Sequence, residues 1–194
     1  GPLFGWGPSA PDQFVFGFIQ EFVSQPEQPT FLVYLTQNSH YPWTPLPPVL
    51  DDWREFENSD MQNGILSEVQ KKGLSLGESR QNYLQAVENT LDALDEFISL
   101  LEKENSVIVL IGDHQPPAVS HHEDGYGTIV HIISQDVDLL ASFHNYGFVD
   151  GLVLENLEPT IRHEGIYSHF VRNFIAQYGT SPWILPPYLP NGHQ

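Results

Sequence analysis

At 194 residues, with 40% hydrophobic and 12% aromatic content, the chain is long enough to bury one substantial core and fits a single domain. Seven Lys and Arg against twenty-five Asp and Glu give a formal net charge of -18, which repels nucleic-acid phosphates and anionic head groups, so no nucleic-acid partner is expected. The absence of Cys excludes disulfides, thiolate metal sites and Cys nucleophiles, and no apolar run approaches the roughly 18 residues of a membrane-spanning helix.

In chain order, Val15, Phe16, Phe18, Ile19, Phe22 and Val23 recur at three- and four-residue spacing and predict a core-facing helix over residues 12–24, started by Pro11 and Asp12. Residues 30–36 form a short apolar run rich in β-branched and aromatic side chains, the pattern of a strand buried on both faces. Residues Gln37 to Trp43 follow, then a Pro-rich acidic segment through Asp60 without a period, a long irregular excursion. From Glu78 or Ser79 to Asn105 the stripe Leu84, Val87, Leu91, Leu94, Ile98 and Leu101 marks a long amphipathic helix. A second buried-strand run, residues 106–111, leads into Gly112-Asp113-His114. A third strand is predicted over 128–134, a short helix over 137–146 ended by Gly147, and a terminal helix over 160–178 closed by Gly179. This order implies an α/β fold: a mainly parallel sheet with helices on both faces, residues 1–180 as one domain and 181–194 as a Pro-rich surface tail. The abrupt opening Leu3-Phe4-Gly5-Trp6 reads as an excised piece of a larger protein.

Ligands of open α/β sheets gather at the carboxyl ends of strands, and two polar clusters fall there: Asn38-Ser39-His40 and Gly112-Asp113-His114. Adjacent Asp113 and His114 offer a hard oxygen and an imidazole nitrogen to one cation, with Gly112 permitting a sharp turn; the competing account is a helix or turn cap beside a chance His. An anionic substrate would need such a cation, because the surrounding charge repels it.

Val107-Ile108-Val109-Leu110-Ile111-Gly112-Asp113-His114, preceded by a long helix with Tyr83 near its start and joined by Asn38-Ser39-His40-Tyr41-Pro42 after an apolar run, resembles the C-terminal half of sulfatases, lipoteichoic acid synthases and phosphoethanolamine transferases. The resemblance covers roughly Trp6 to Tyr178 and implies part of an alkaline phosphatase-like catalytic domain. By that likeness Asp113 and His114 are two ligands of a divalent metal (Zn, Mn, Mg or Ca), and His40 contacts a phosphate or sulfate ester or a second metal. It also implies that the nucleophile and an acidic ligand come from upstream, that the parent works on the extracytoplasmic face of a membrane or in the periplasm with an upstream membrane anchor, and that this piece alone is inactive. Ser9 and Asp12 suit a helix entry better than a nucleophile elbow.

The other histidines carry weaker expectations. His121 and His122 suit an exposed loop more than a second metal, His131 a satisfied position in a strand, and His163 and His169 a solvated helix face more than an anion contact; His144 and His193 suggest nothing. Trp43, Trp53, Tyr41 and Phe56 fit either sugar stacking or packing, while Asp51, Asp52, Glu55 and Glu57 lack Ca²⁺-loop spacing. The alternative to an enzyme is a non-catalytic α/β interaction module that keeps the fold.

Overall fold

The computed structural model describes residues 9–23, 29–57, 76–101, 105–117, 119–152, 159, 161–180 and 184–192. The opening residues 1–8, the far end of the acidic excursion from residue 58, and His193 lie outside the described residues. The chain forms two compact units, residues 1–104 with 116–121, and residues 105–115 with 122–194.

The first unit pairs α1 (Asp12–Val23) with α2 (Leu76–Leu101). The buried face of α2 carries Ala86, Thr90, Ala93 and Leu94, whereas Leu84 and Leu91 of the predicted stripe are exposed. Between the two helices Phe16 stacks on Phe97 with ring centroids 5.0 Å apart. Gly17 gives α1 a close neighbour: a Cβ there would lie 2.3 Å from the Trp53 ring. That indole, from the 3-10 turn Trp53–Glu57, also meets Phe14 edge to face and lies under the Arg54 guanidinium. Packing therefore accounts for Trp53.

Residues 29–36 are extended, but the expected buried strand is not found. No ladder pairs them among the described residues, and alternate side chains Phe31, Val33 and Leu35 are 84%, 71% and 67% exposed. A strand is defined by its neighbours, and here the side chains of Tyr34 and Thr36 bond to Asp12 and Ser39 rather than lining a ladder.

In the second unit β1 (Val107–Ile111) pairs with β2 (Val130–Ser134) in an antiparallel ladder running from Val107 opposite Ser134 to Ile111 opposite Val130. The expected mainly parallel sheet is thus not what the described residues form. A parallel pair needs a crossover, usually a helix, and among its described residues the connection after β1 contains only the 3-10 turn His122–Asp124, so the chain turns back on itself. Helix α3 (Val137–His144) packs against β2 through Leu139 and Phe143; Asp136 caps it by accepting from the Leu139 amide at 2.9 Å. Helix α4 (His163–Tyr178) packs on α3, and its last residue returns to the same cap, Tyr178 donating to Asp136 at 2.6 Å. That bond holds the Asp136 carboxyl below its usual range and pushes the Tyr178 phenol up to about 12.

His169 does not lie on a solvated face as expected. It is 2% exposed, boxed by the rings of Phe143, Tyr146, Phe148 and Tyr188, with neither ring nitrogen hydrogen-bonded among the described residues. Burial depresses its pKa. Residues 184–192 run along α4: the Arg162 amide donates to the Pro190 carbonyl, Arg172 to the Pro186 carbonyl, and Ser168 accepts from the Leu189 amide.

Candidate functional site

The turn that carries His40 is built on a buried carboxylate. Asp12, at the start of α1 and fully buried, accepts from the Gln37 amide at 2.8 Å, the Asn38 amide at 3.0 Å and the Tyr34 hydroxyl at 2.7 Å. Burial, then the bond to Asp12, pushes the Tyr34 phenol far above its ordinary range. Asn38, 2% exposed, continues the network to Asn89 of α2, which donates to the Pro47 carbonyl. Gln13 fixes the next stretch by exchanging two hydrogen bonds with the Leu50 backbone, donating at 2.7 Å and accepting at 2.9 Å.

On this base the chain turns through cis Tyr41–Pro42 to Trp43, a non-glycine residue at φ 61. Such a conformation persists only where surroundings over-determine it. Trp43 is 2% exposed, its indole donates to the Ser39 carbonyl at 3.0 Å, its amide donates to the His40 carbonyl at 3.2 Å, and its ring meets Tyr41 and Tyr83. Packing thus explains Trp43 and gives Tyr83 a definite task. His40 projects from this turn, exposed, with Nδ1 2.7 Å from the Tyr41 carbonyl; a carbonyl only accepts, so Nδ1 carries the proton.

The second cluster follows β1. The Gly112 amide donates to the Ile129 carbonyl at 3.0 Å, extending the ladder one rung, and its carbonyl lies 2.9 Å from His163 Nε2 at the start of α4. A Cβ on Gly112 would approach Thr128 Cβ to 3.2 Å, so the glycine permits a close approach. Asp113 and His114 then stand in solvent, side chains 78% and 61% exposed, with Asp113 Oδ2 3.5 Å from His114 Nε2. Oδ1 accepts from the His114 amide at 2.8 Å, and His114 Nδ1 donates to the Gln115 carbonyl at 2.8 Å. That last bond sets the tautomer: in the neutral ring Nε2 keeps its lone pair and faces the carboxylate oxygen. Two donors bound to one tetrahedral cation at roughly 2.1 Å stand about 3.4 Å apart, so the pair has a fitting span.

Asp113 and His114 are therefore brought together within the second unit, while His40 belongs to the first. Among the described residues no cluster of three or more His, Asp and Glu is assembled. His121 Nε2 meets Arg80 at 2.9 Å in the first unit, His144 pairs with Asp150 at 2.9 Å in the second, and His131 sits in β2 opposite Leu110. The roles of Asp12 and His163 were not legible: Asp12 reads as a helix start, and no periodicity reveals that α4 begins against the Gly112 loop.

These features define a class, an α/β protein that sets polar and imidazole groups just beyond the ends of apolar segments. The chain belongs to the sulfatase family, whose model matches residues 4–143, well over half of the sequence. Neither a curated protein nor a solved structure matches it. The family is sulfatase-like hydrolases of α/β fold that generally use a divalent metal, act on sulfate esters and are often extracytoplasmic. Among the described residues no helix is long and apolar enough to cross a membrane.

Proposed function

We propose that this chain supplies two metal ligands, Asp113 and His114, to a sulfatase-like enzyme that hydrolyses or transfers a phosphate or sulfate ester, with His40 as a contact to the ester. The observation that carries the reading is the facing of Asp113 Oδ2 and His114 Nε2 across 3.5 Å, with the imidazole tautomer fixed by the Gln115 carbonyl. A divalent cation there would polarise the ester and stabilise an anionic nucleophile. The residues of this chain orient and hold. Asp113 supplies negative charge that draws a cation into solvent-accessible space, and the neutral ring of His114 would offer its Nε2 lone pair. His40 is presented by a turn locked through Asp12 and Trp43; with Nδ1 donating to the Tyr41 carbonyl, Nε2 is the atom left to face the ester, and it would donate to an ester oxygen only as the imidazolium. The nucleophile and further acidic ligands come from residues other than these, and the parent enzyme works outside the cytoplasm.

The test is a thermal melt with added Mn²⁺ or Zn²⁺. Either ion should raise the melting temperature, and Asp113→Ala with His114→Ala should abolish the rise. A melt unmoved by both ions would favour the non-catalytic interaction module.

A further inference from the structure

The family match ends at residue 143, yet the backbone immediately before Asp113 is held by a side chain beyond it. Gly112 has one amide hydrogen and one carbonyl to place. The amide goes to Ile129 in the ladder, and the carbonyl faces His163 Nε2 at 2.9 Å. Because a carbonyl only accepts, Nε2 must carry the proton; the Thr128 hydroxyl oxygen, 3.1 Å from the same nitrogen, shares it as a second acceptor. Both peptide groups flanking Gly112 are thus oriented, and a residue with no side chain of its own becomes a fixed point one position before the Asp–His pair.

His163 is itself well anchored. It is the first residue of α4, following Arg162, whose amide donates to the Pro190 carbonyl at 3.0 Å. Gly165, one turn on, approaches that segment so closely that a Cβ would meet the Pro190 oxygen at 2.3 Å. The tail therefore fixes the start of α4, α4 fixes the imidazole, and the imidazole fixes Gly112. By contrast the Asp113 and His114 side chains are mostly exposed and bonded to their own neighbours in sequence, which does little to set where the pair points.

We infer that His163 is a positioning residue for the Asp113–His114 pair, acting by hydrogen-bond donation to the Gly112 carbonyl. The inference rests on the metal-binding reading above. It predicts that loss of the donor weakens cation binding while leaving the fold intact, because His163 is an exposed residue at a helix start whose removal opens no cavity.

Cobalt(II) titration of the 194-residue chain, followed by visible absorption, tests it, with melting in chelator as the control for folding. His163→Ala should bind Co²⁺ roughly tenfold more weakly, the usual effect of losing a group that orients a metal ligand, and should melt in EDTA at the parent's temperature. His163→Gln, whose amide nitrogen occupies nearly the position of Nε2 and donates, should recover most of the affinity and the parent's absorption envelope. Parental affinity in His163→Ala, or a His163→Gln variant as weak as the alanine, overturns the inference and leaves the metal reading intact. A parent chain that takes up no more Co²⁺ than the Asp113→Ala, His114→Ala double variant removes the metal reading, and the role of His163 goes with it.

Discussion

Two aspartates divide the labour of this molecule. Asp12 is fully buried and accepts from two backbone amides and a phenol, and so holds the turn that presents His40. Asp113 is 78% exposed; its contacts are the amide and imidazole of the residue next to it. A carboxylate saturated with donors in the interior has no capacity left for a ligand and is invested in folding. One that stands in water beside an imidazole gives the fold little and keeps lone pairs open. The contrast teaches that burial and donor count, rather than residue type, separate a carboxylate spent on folding from one left open for the ligand role proposed for Asp113.

The largest effect expected on this contrast is at Asp12. Replacing it with Ala leaves the Gln37 and Asn38 amides and the Tyr34 hydroxyl without their acceptor, and each orphaned buried donor costs about 1–3 kcal/mol. Asp12→Ala should therefore lower stability by about 3–5 kcal/mol, read as a drop in the urea midpoint at unchanged slope. A loss below about 1 kcal/mol would mean that water replaces the carboxylate easily and that the turn is not anchored there.

That distinction marks how far the sequence could be followed. Helical periodicity locates the four α-helices of the described residues to within a few residues, and the apolar run before Gly112-Asp113-His114 locates β1, because amphipathic spacing and turn residues are local signals. Pairing is not local. Residues 30–36 look like a buried strand by composition, yet Phe31, Val33 and Leu35 are exposed, and the ladder that does form is antiparallel. The face of α2 is legible only in part for a related reason: of the leucine stripe Leu94 is buried but Leu84 and Leu91 are exposed, while Ala86 and Ala93 lie in the core. At the site, the Asp–His pair is visible as a dipeptide. Its brace is not, since His163 lies fifty-one positions from Gly112 and its meaning comes only from where α4 begins.

A second, smaller prediction concerns the buried imidazole of the second unit, a titratable group invested in packing as Asp12 is. His169 sits among four aromatic rings with neither nitrogen hydrogen-bonded among the described residues, and its folded pKa is depressed by burial. The unfolded chain therefore takes up the proton first as pH falls. The neutral box is fully stable above the unfolded value of about 6.5, and stability is lost as pH drops from there toward the depressed folded value. His169→Phe should stabilise the protein by about 1–2 kcal/mol at pH 8, since it removes unpaired buried nitrogens from an aromatic site. Its denaturation midpoint should also fall less than the parent's between pH 7.5 and pH 5. Equal pH slopes in the two proteins would show that His169 is hydrated and titrates normally.

The smallest expected effect on folding is the sharpest test of the contrast. An exposed carboxylate paired with a neighbouring imidazole contributes little, because water screens the pair and holding two side chains together costs rotamer entropy. Asp113→Ala should shift stability in EDTA by no more than about 0.5 kcal/mol, within the usual range for surface substitutions. In saturating Mn²⁺ or Zn²⁺ the same variant should lose the metal-dependent rise in melting temperature. A large loss in EDTA would place Asp113 with Asp12 among the structural carboxylates. Silence in chelator with loss of the metal response would place the whole contribution of Asp113 in the bound cation, where its exposure and its 3.5 Å distance from His114 Nε2 put its remaining capacity to bind.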